Sequence, residues 1–233
     1  MSDTKKPIFH RALIVGAGSG LSASLARLLS RSEMRVALAA RNTDKLAPLC
    51  KETGATAFKC DATKPEDVEN LFRVVEGAMG APDVVIHNAS GRVRGEFVSL
   101  DPAAVRESIL QTAYSGFLVA HRAVGAMLKV GHGAVLFTGA SASVKGYAKS
   151  APFAMGKFAL RGLAQSMARE LGPKGIHIAH FVIDGGISSA ERKSPNDSLL
   201  DPDAIAENYL HVLRQPRSAW TWEVELRPWV EAF

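Results

Sequence analysis

Short apolar runs alternate with amphipathic segments along most of this chain. The first run, Ala12 to Val15, ends in a glycine-rich turn, and leucines then recur at helical spacing from Leu21 to Leu29. Further runs of the same kind predict a series of buried strands. We expect strands at Ala12–Val15, Arg35–Ala40, Ala55–Lys59, Asp83–His87, Ala134–Thr138, Ile176–Ile183 and Thr221–Leu226.

The segments between these runs have the period of helices. We expect helices at Leu21–Leu29, Asp44–Thr53, Pro65–Met79, Pro102–Val130, Ala151–Leu171 and Asp203–Arg214, with the long one kinked or interrupted near Gly116. Strands and helices in regular succession predict an α/β fold. It is a Rossmann-like, doubly wound, mostly parallel seven-stranded sheet with helices on both faces, and its ligands bind at the carboxyl ends of the strands.

Composition narrows the class of protein. A chain of 233 residues with 47% hydrophobic and 22% charged residues suits a single domain spanning residues 1–233. The polar start and the absence of a long apolar run predict a cytoplasmic protein without a membrane partner. Lys and Arg are interleaved with Asp and Glu despite a net charge of +5, so we expect no nucleic-acid partner. The spacing of Cys50 and Cys60 supports neither a disulfide framework nor a metal site.

The turn after the first strand contains Gly16, Gly18 and Gly20. Glycines at such a turn let backbone amides approach a pyrophosphate, and the following helix presents its positive end to that anion. The position of the turn, between the first strand and the first helix, favours a dinucleotide site. A tight turn without a ligand remains the alternative.

Three further motifs accompany the three glycines: Asp61 after the third strand, His87-Asn88-Ala89-Ser90 after the fourth, and Lys157 in the helix before the sixth. Together these motifs resemble the short-chain dehydrogenase/reductase family over nearly the whole chain. Ser22 departs from the family pattern by replacing its last glycine. The resemblance implies that the cofactor is bound by Gly16, Gly18, Ser19, Gly20, Leu21, Arg41, Asn42, Asp61, Ala62, Asn88, Ala89, Ser90, Lys157, Gly185 and Ile187.

The end of the second strand indicates which dinucleotide is bound. An acidic side chain there would hold the ribose 2′-hydroxyl of NAD and repel a 2′-phosphate. This chain has Arg41 and Asn42 instead, and a guanidinium can stack on adenine and pair with a phosphate. We therefore predict NADP(H) as the cofactor.

In the family that this chain resembles, an Asn, a Ser, a Tyr and a Lys cooperate in catalysis. Lys157 is present here, but Phe153 stands at the Tyr position and Thr112 at the Asn position. Ser141 is the favoured candidate for the Ser that holds the substrate oxygen, with Ser143 as the alternative. A phenyl ring has no hydroxyl and cannot exchange a proton with the substrate.

Two functions are compatible with these losses. In the first, the protein is an atypical reductase of a small apolar carbonyl or enoyl compound, in which another group or water supplies the proton, with Tyr147 as the candidate donor. In the second, it is a catalytically impaired NADP(H)-binding sensor or partner subunit, because losing the acid or base lowers the rate by orders of magnitude. Lys157 discriminates weakly between the two, because ribose binding alone would also require it.

Three further features concern the surface of the protein. The segment Ser188–Pro202 is irregular and polar, and it stands where a substrate lid would be useful. The resemblance implies a homodimer or homotetramer, for which Phe117–Val130 and Phe158–Met167 offer apolar helix faces. The aromatic C-terminus could pack on a neighbouring subunit or on its own sheet.

Overall fold

Seven strands form one sheet in the order β3-β2-β1-β4-β5-β6-β7, and each neighbouring pair is parallel. The structure is a computed structural model that describes residues 9–189, 191–193 and 196–232. The strands are β1 (Arg11–Val15), β2 (Arg35–Ala40), β3 (Thr56–Lys59), β4 (Val84–His87), β5 (Gly133–Thr138), β6 (Ile176–Ile183) and β7 (Glu223–Leu226). The predicted Rossmann-like, doubly wound sheet is confirmed, and the closing strand β7 is also parallel to its neighbour.

The helices follow the predicted positions within a few residues. They are α1 (Leu21–Arg31), α2 (Ala47–Thr53), α3 (Pro65–Met79), α4 (Pro102–Ile109), α5 (Ser115–Val130), α6 (Ala151–Leu171) and α7 (Pro202–Leu213). Two of them begin with the same pair of residues, an aspartate followed by proline. The Asp101 carboxylate accepts hydrogen bonds from two amides of the first turn of α4, and Asp201 accepts one from the first turn of α7. Such caps satisfy amides that lack a partner within the helix.

Apolar side chains cover both faces of the sheet. On one face, α1, α2 and α7 form a core around Leu25, Leu29 and Tyr209. On the other, α3, α5 and α6 pack around Phe72 and Leu160. The inner strands are therefore buried on both sides, which explains why they read as continuous apolar runs rather than as alternating ones.

The predicted interruption of the long helix lies between α4 and α5. A π-helical turn, Leu110–Tyr114, separates the two helices just before Gly116. The hydroxyl of Thr112 donates to the Ser108 carbonyl and accepts from the Gly91 amide, which attaches the loop after β4 to this turn. A Cβ atom on Gly116 would lie 2.6 Å from Leu160, so the missing side chain lets α5 and α6 approach closely.

The chain leaves β1 and β4 towards opposite faces of the sheet, since α1 and α5 belong to different cores. A crevice opens where neighbouring strands diverge in this way. Gly16 follows β1 with a φ of +85°, a conformation that L side chains rarely adopt. A Cβ atom there would lie 2.4 Å from the Ala89 amide nitrogen, so the two chain segments touch through their backbones.

None of the helices within the described residues is long and apolar enough to cross a membrane.

We predict that Gly16→Ala lowers the free energy of unfolding by about 2 kcal/mol or more, because it adds a positive-φ penalty and a backbone clash. Gly18→Ala is the matched control, because a Cβ atom at Gly18 meets no atom within 4 Å. Thermal and urea unfolding of both variants measure the difference. Equal stability of the two variants would contradict the close approach of Gly16 to Ala89.

Candidate functional site

A cavity of about 280 Å³ opens at the carboxyl ends of β1, β2 and β4. We call it the β1/β4 cavity. It brings together seven of the residues predicted to bind a cofactor, although they come from four separate parts of the chain. These seven are Gly16, Arg41, Asp61, Ala62, Asn88, Ala89 and Ser90.

The floor of the β1/β4 cavity is braced by a chain of hydrogen bonds through Ser22. The Ser22 hydroxyl donates to the Gly16 carbonyl at 3.2 Å and accepts from the Asn88 amide at 2.6 Å. The Ser22 side chain thus links the first turn to the end of β4.

Open space surrounds the other two glycines of the turn. A Cβ atom on Gly18 or Gly20 would have no atom within 4 Å, while Leu21 is buried beneath the turn and Ser19 is exposed beside it. The N-terminus of α1 therefore remains accessible to an anion, as a pyrophosphate requires.

Arg41 and Asp61 supply the charges of the β1/β4 cavity. Burial acts to raise the pKa of Asp61, but hydrogen bonds from the Thr63 hydroxyl and amide outweigh it, and Lys64 and Arg41 add to their effect. The net pKa is lowered, so this carboxylate is ionised at neutral pH. Asn42 was also predicted to bind the cofactor, but its side-chain oxygen accepts from the Asp44 amide at 3.0 Å.

Among the other residues that line the β1/β4 cavity, four carry a hydroxyl, thiol or amide side chain and were missed in the sequence: Cys60, Thr63, Gln111 and Ser115. Gln111 and Ser115 lie at either end of the π-helical turn, and their polarity within an apolar helix was the available signal. Burial raises the pKa of the Cys60 thiol to about 12, which keeps it protonated and unreactive at neutral pH.

Behind this cavity, His87 is fully buried and contacts Ser115. The Ser115 hydroxyl donates to the Gln111 carbonyl, so it accepts from Nε2 of His87, 2.8 Å away. Burial and, to a smaller extent, the nearby positive charge of Lys157 together lower the pKa of His87 to about 3. His87 is therefore neutral, and its Nδ1 has no hydrogen-bond partner within the described residues.

A second cavity, of about 320 Å³, opens at the carboxyl ends of β5 and β6. We call it the β5/β6 cavity. It contains Ser141, Tyr147 and Phe153, as well as Gly185. The structure thus places the predicted proton donor, the favoured serine and the phenylalanine around one space.

Ser143, the alternative serine, lies elsewhere. It is fully buried, and its hydroxyl is 3.3 Å from Nε2 of His180. The other ring nitrogen of His180 is 3.1 Å from Glu223, which also binds Arg161. Burial lowers the pKa of His180 to about 4 even though Glu223 acts in the opposite direction. This network connects β5, β6, β7 and α6, and within it the Ser143 hydroxyl is already hydrogen-bonded.

Lys157 points into the protein. Only 3% of its surface is exposed, and its ammonium group donates to the Thr138 carbonyl at 2.6 Å. The ammonium nitrogen lies 5.8 Å from the centre of the Phe153 ring. Burial lowers the pKa of Lys157 to about 7, because no carboxylate compensates the loss of hydration.

The segment after β6 contains Gly185 and Ile187, two more of the residues predicted to bind the cofactor. Ile187 pairs with Leu200, which closes the base of the predicted lid 188–202. Within the described part of that segment, the Asn196 carbonyl accepts a hydrogen bond from Trp229 of the C-terminal tail. Asp184 is buried and paired with Lys145 and Arg227.

The C-terminal aromatic residues differ in their surroundings. Trp220 stacks on His177 of its own sheet, whereas Trp229 is 78% exposed. Exposed apolar side chains also occur on the two helices predicted to pair between subunits, Phe117 on α5 and Phe158 on α6. Self-association stays a prediction.

The chain matches the sequence profile of the short chain dehydrogenase family over residues 10–198. An uncharacterised oxidoreductase of Staphylococcus aureus (strain N315) is 27% identical over 224 residues, which cover 93% of this chain and 96% of the relative.

Solved structures show the same likeness. A short-chain dehydrogenase from Rhodopseudomonas palustris has a TM-score of 0.83 and 33% identity, covering 96% of this chain and all of that one. An alcohol dehydrogenase from the archaeon Thermococcus sibiricus, complexed with 5-hydroxy-NADP, has a TM-score of 0.84 and 25% identity, covering 96% of this chain and 98% of that one.

Together, the fold, the crevice between β1 and β4 and the two cavities at the strand ends define an oxidoreductase scaffold of the Rossmann type. The chain belongs to the short-chain dehydrogenase family.

The burial of Lys157 predicts a specific pH dependence of stability. Between its folded pKa of about 7 and its ordinary value of 10.5, the unfolded state binds more protons, so the free energy of unfolding rises with pH. We expect a contribution of roughly 1 kcal/mol per pH unit from pH 7 to 9. Urea unfolding at several pH values should show this contribution in the parent and its loss in Lys157→Met. Lys51→Met, on the exposed surface of α2, should keep the parent's slope.

Proposed function

We propose that the protein is an NADP(H)-dependent oxidoreductase that reduces small carbonyl or enoyl compounds. The observation that carries the proposal is Arg41 in the β1/β4 cavity, at the place where an acidic residue would select NAD. The alcohol dehydrogenase of Thermococcus sibiricus with 5-hydroxy-NADP and a metagenomic short-chain oxidoreductase with NADP support it as structural neighbours.

The residues of the β1/β4 cavity fit a dinucleotide. The turn at Gly18 and Gly20 leaves room for a pyrophosphate, Asp61 accepts hydrogen bonds, and Arg41 pairs with a 2′-phosphate. Lys157 donates to ribose hydroxyls once it turns from the Thr138 carbonyl. A bound nicotinamide supplies the hydride for reduction.

Proton transfer needs another group, because Phe153 stands where the family carries its catalytic tyrosine. Tyr147 lines the same β5/β6 cavity and is 45% exposed, so its hydroxyl is accessible to a substrate there. In this proposal Tyr147 donates the proton to the substrate and Ser141 holds the substrate oxygen. The burial of Ser143 against His180 supports the choice of Ser141 for that role.

A second function, an NADP(H)-binding sensor or partner subunit, is favoured by one observation. Thr112, at the position of the family asparagine, is fully buried, and both hydrogen-bonding capacities of its hydroxyl are used by Ser108 and Gly91. Thr112 therefore serves the fold, so the asparagine and the tyrosine of the family site have both been replaced by groups that do not take part in proton transfer.

We predict that the protein binds NADPH more tightly than NADH and that Arg41→Ala removes most of the difference. Hydrogen bonds to charged groups contribute about 1.5–3 kcal/mol, so NADPH binding should weaken by roughly tenfold to a hundredfold. Calorimetry and fluorescence transfer from tryptophan to nicotinamide measure both affinities. Arg31→Ala, at the exposed end of α1, is the charge-matched control. If neither dinucleotide binds the parent, the proposed function is wrong.

Two substitutions distinguish the proposed enzyme from the proposed sensor. For an enzyme that uses Tyr147 as the donor, Tyr147→Phe should lower kcat about a hundredfold or more, while Tyr114→Phe leaves it unchanged. For a sensor, the parent turns over none of a panel of carbonyl and enoyl compounds, and Phe153→Tyr creates reduction. Oxidation of NADPH, followed at 340 nm as an absorbance of the cofactor, measures both.

A further inference from the structure

Three arginines surround the β5/β6 cavity. Arg92 and Arg94 come from the loop after β4, and Arg192 comes from the segment after β6. The only acidic residue among the described residues that line this cavity is Glu231. The wall of the cavity therefore carries an excess of positive charge.

Among residues 9–189, 191–193 and 196–232, no carboxylate forms an ion pair with any of these three guanidinium groups. By contrast, the arginines at positions 27, 122, 161 and 227 each bind an acidic side chain. Like charges that converge without counter-ions attract an anion from solution.

Arg92 and Arg94 line the same cavity, although one residue separates them in a segment without regular secondary structure. The Gly95 amide donates to the Lys149 carbonyl, and Lys149 pairs with Glu96, so the segment is attached to the chain just before α6.

Arg92 lies against the reactive part of the cavity. Its guanidinium carbon is 5.2 Å from the centre of the Phe153 ring, a cation–π arrangement that holds the group near Ser141 and Tyr147. An anionic group bound by Arg92 is thus close to the substrate oxygen. A guanidinium binds carboxylate and phosphate through two parallel hydrogen bonds.

Arg192 approaches from the opposite wall, over Gly186. A Cβ atom on Gly186 would lie 2.5 Å from the Arg192 guanidinium, so a side chain at position 186 would displace the arginine. Backbone hydrogen bonds in both directions join Ser189 and Arg192.

We propose that the β5/β6 cavity selects anionic substrates, namely carbonyl or enoyl compounds that bear a carboxylate or phosphate group near the reacting carbon. Arg92 and Arg94 bind this group, with Arg192 opposite them. The inference rests on the proposed function for the identity of the reaction, but the anion site itself is independent of the cofactor. It replaces the apolar substrate expected from the sequence with a charged one.

The test is calorimetric titration of the protein without cofactor. The probes are benzoylformate, its neutral methyl ester, phenyl phosphate and inorganic phosphate. The variants are Arg92→Gln and Arg94→Gln, each of which removes one charge from an exposed side chain and should leave the unfolding midpoint unchanged. Arg31→Gln removes the same charge at the far end of α1, and Arg41→Ala reports binding in the β1/β4 cavity.

We expect at least one of the anions to bind the parent, Arg31→Gln and Arg41→Ala alike, and to bind Arg92→Gln roughly tenfold more weakly or worse. The methyl ester should bind more weakly than benzoylformate. If benzoylformate binds more tightly than phenyl phosphate, the carboxylate is the preferred group; if phenyl phosphate binds more tightly, the phosphate is.

Three results would overturn the proposal: no anion binds, the ester and the acid bind equally, or binding is lost in Arg41→Ala but kept in Arg92→Gln. The last result would place the anion in the β1/β4 cavity. Failure of the proposed function is a separate result, because it appears as absent NADPH binding and does not affect this titration.

Discussion

The contact between the backbones of Gly16 and Ala89 is the constraint on which the functional end of the molecule depends. It occurs where β1 and β4 lie side by side while their helices pack on opposite faces of the sheet. Any side chain at Gly16 would separate these two strand ends. The shape of the β1/β4 cavity therefore follows from the winding of the chain, and its polar groups are added by the loops that leave each strand.

The buried ionisable side chains near the site lower the stability of the fold, because burial disfavours their charged forms. Burial shifts the pKa of His87 and His180 to about 3 and about 4, and that of Lys157 to about 7, all towards the uncharged form. Each of these groups contacts only neutral hydrogen-bond partners or one carboxylate, so its environment does little to stabilise its protonated, charged form. Apolar side chains at these positions would not carry this desolvation cost.

The strands and most helices could be predicted from the sequence because they are buried on one side or both, and burial leaves a regular apolar pattern. The favoured choice of Ser141 over Ser143 stays a prediction, although only Ser141 faces the β5/β6 cavity. Gln111 and Ser115 escaped notice because the π-helical turn between them breaks the periodicity used to assign helix faces. The arginines of the β5/β6 cavity were equally unpredictable, because long-range folding, and not spacing, brings Arg92 and Arg192 together.

The hydrogen bonds from Asn88 to Ser22 and from Ser22 to Gly16 have a consequence for the kinetics of binding. They connect the first turn to the end of β4 before any ligand arrives, so this wall has little conformational entropy left to lose. The positive charge of Arg92, Arg94 and Arg192 acts at a distance, before a ligand makes contact. For the ligands proposed above, the rigid wall thus favours slow release and the charged wall favours rapid capture.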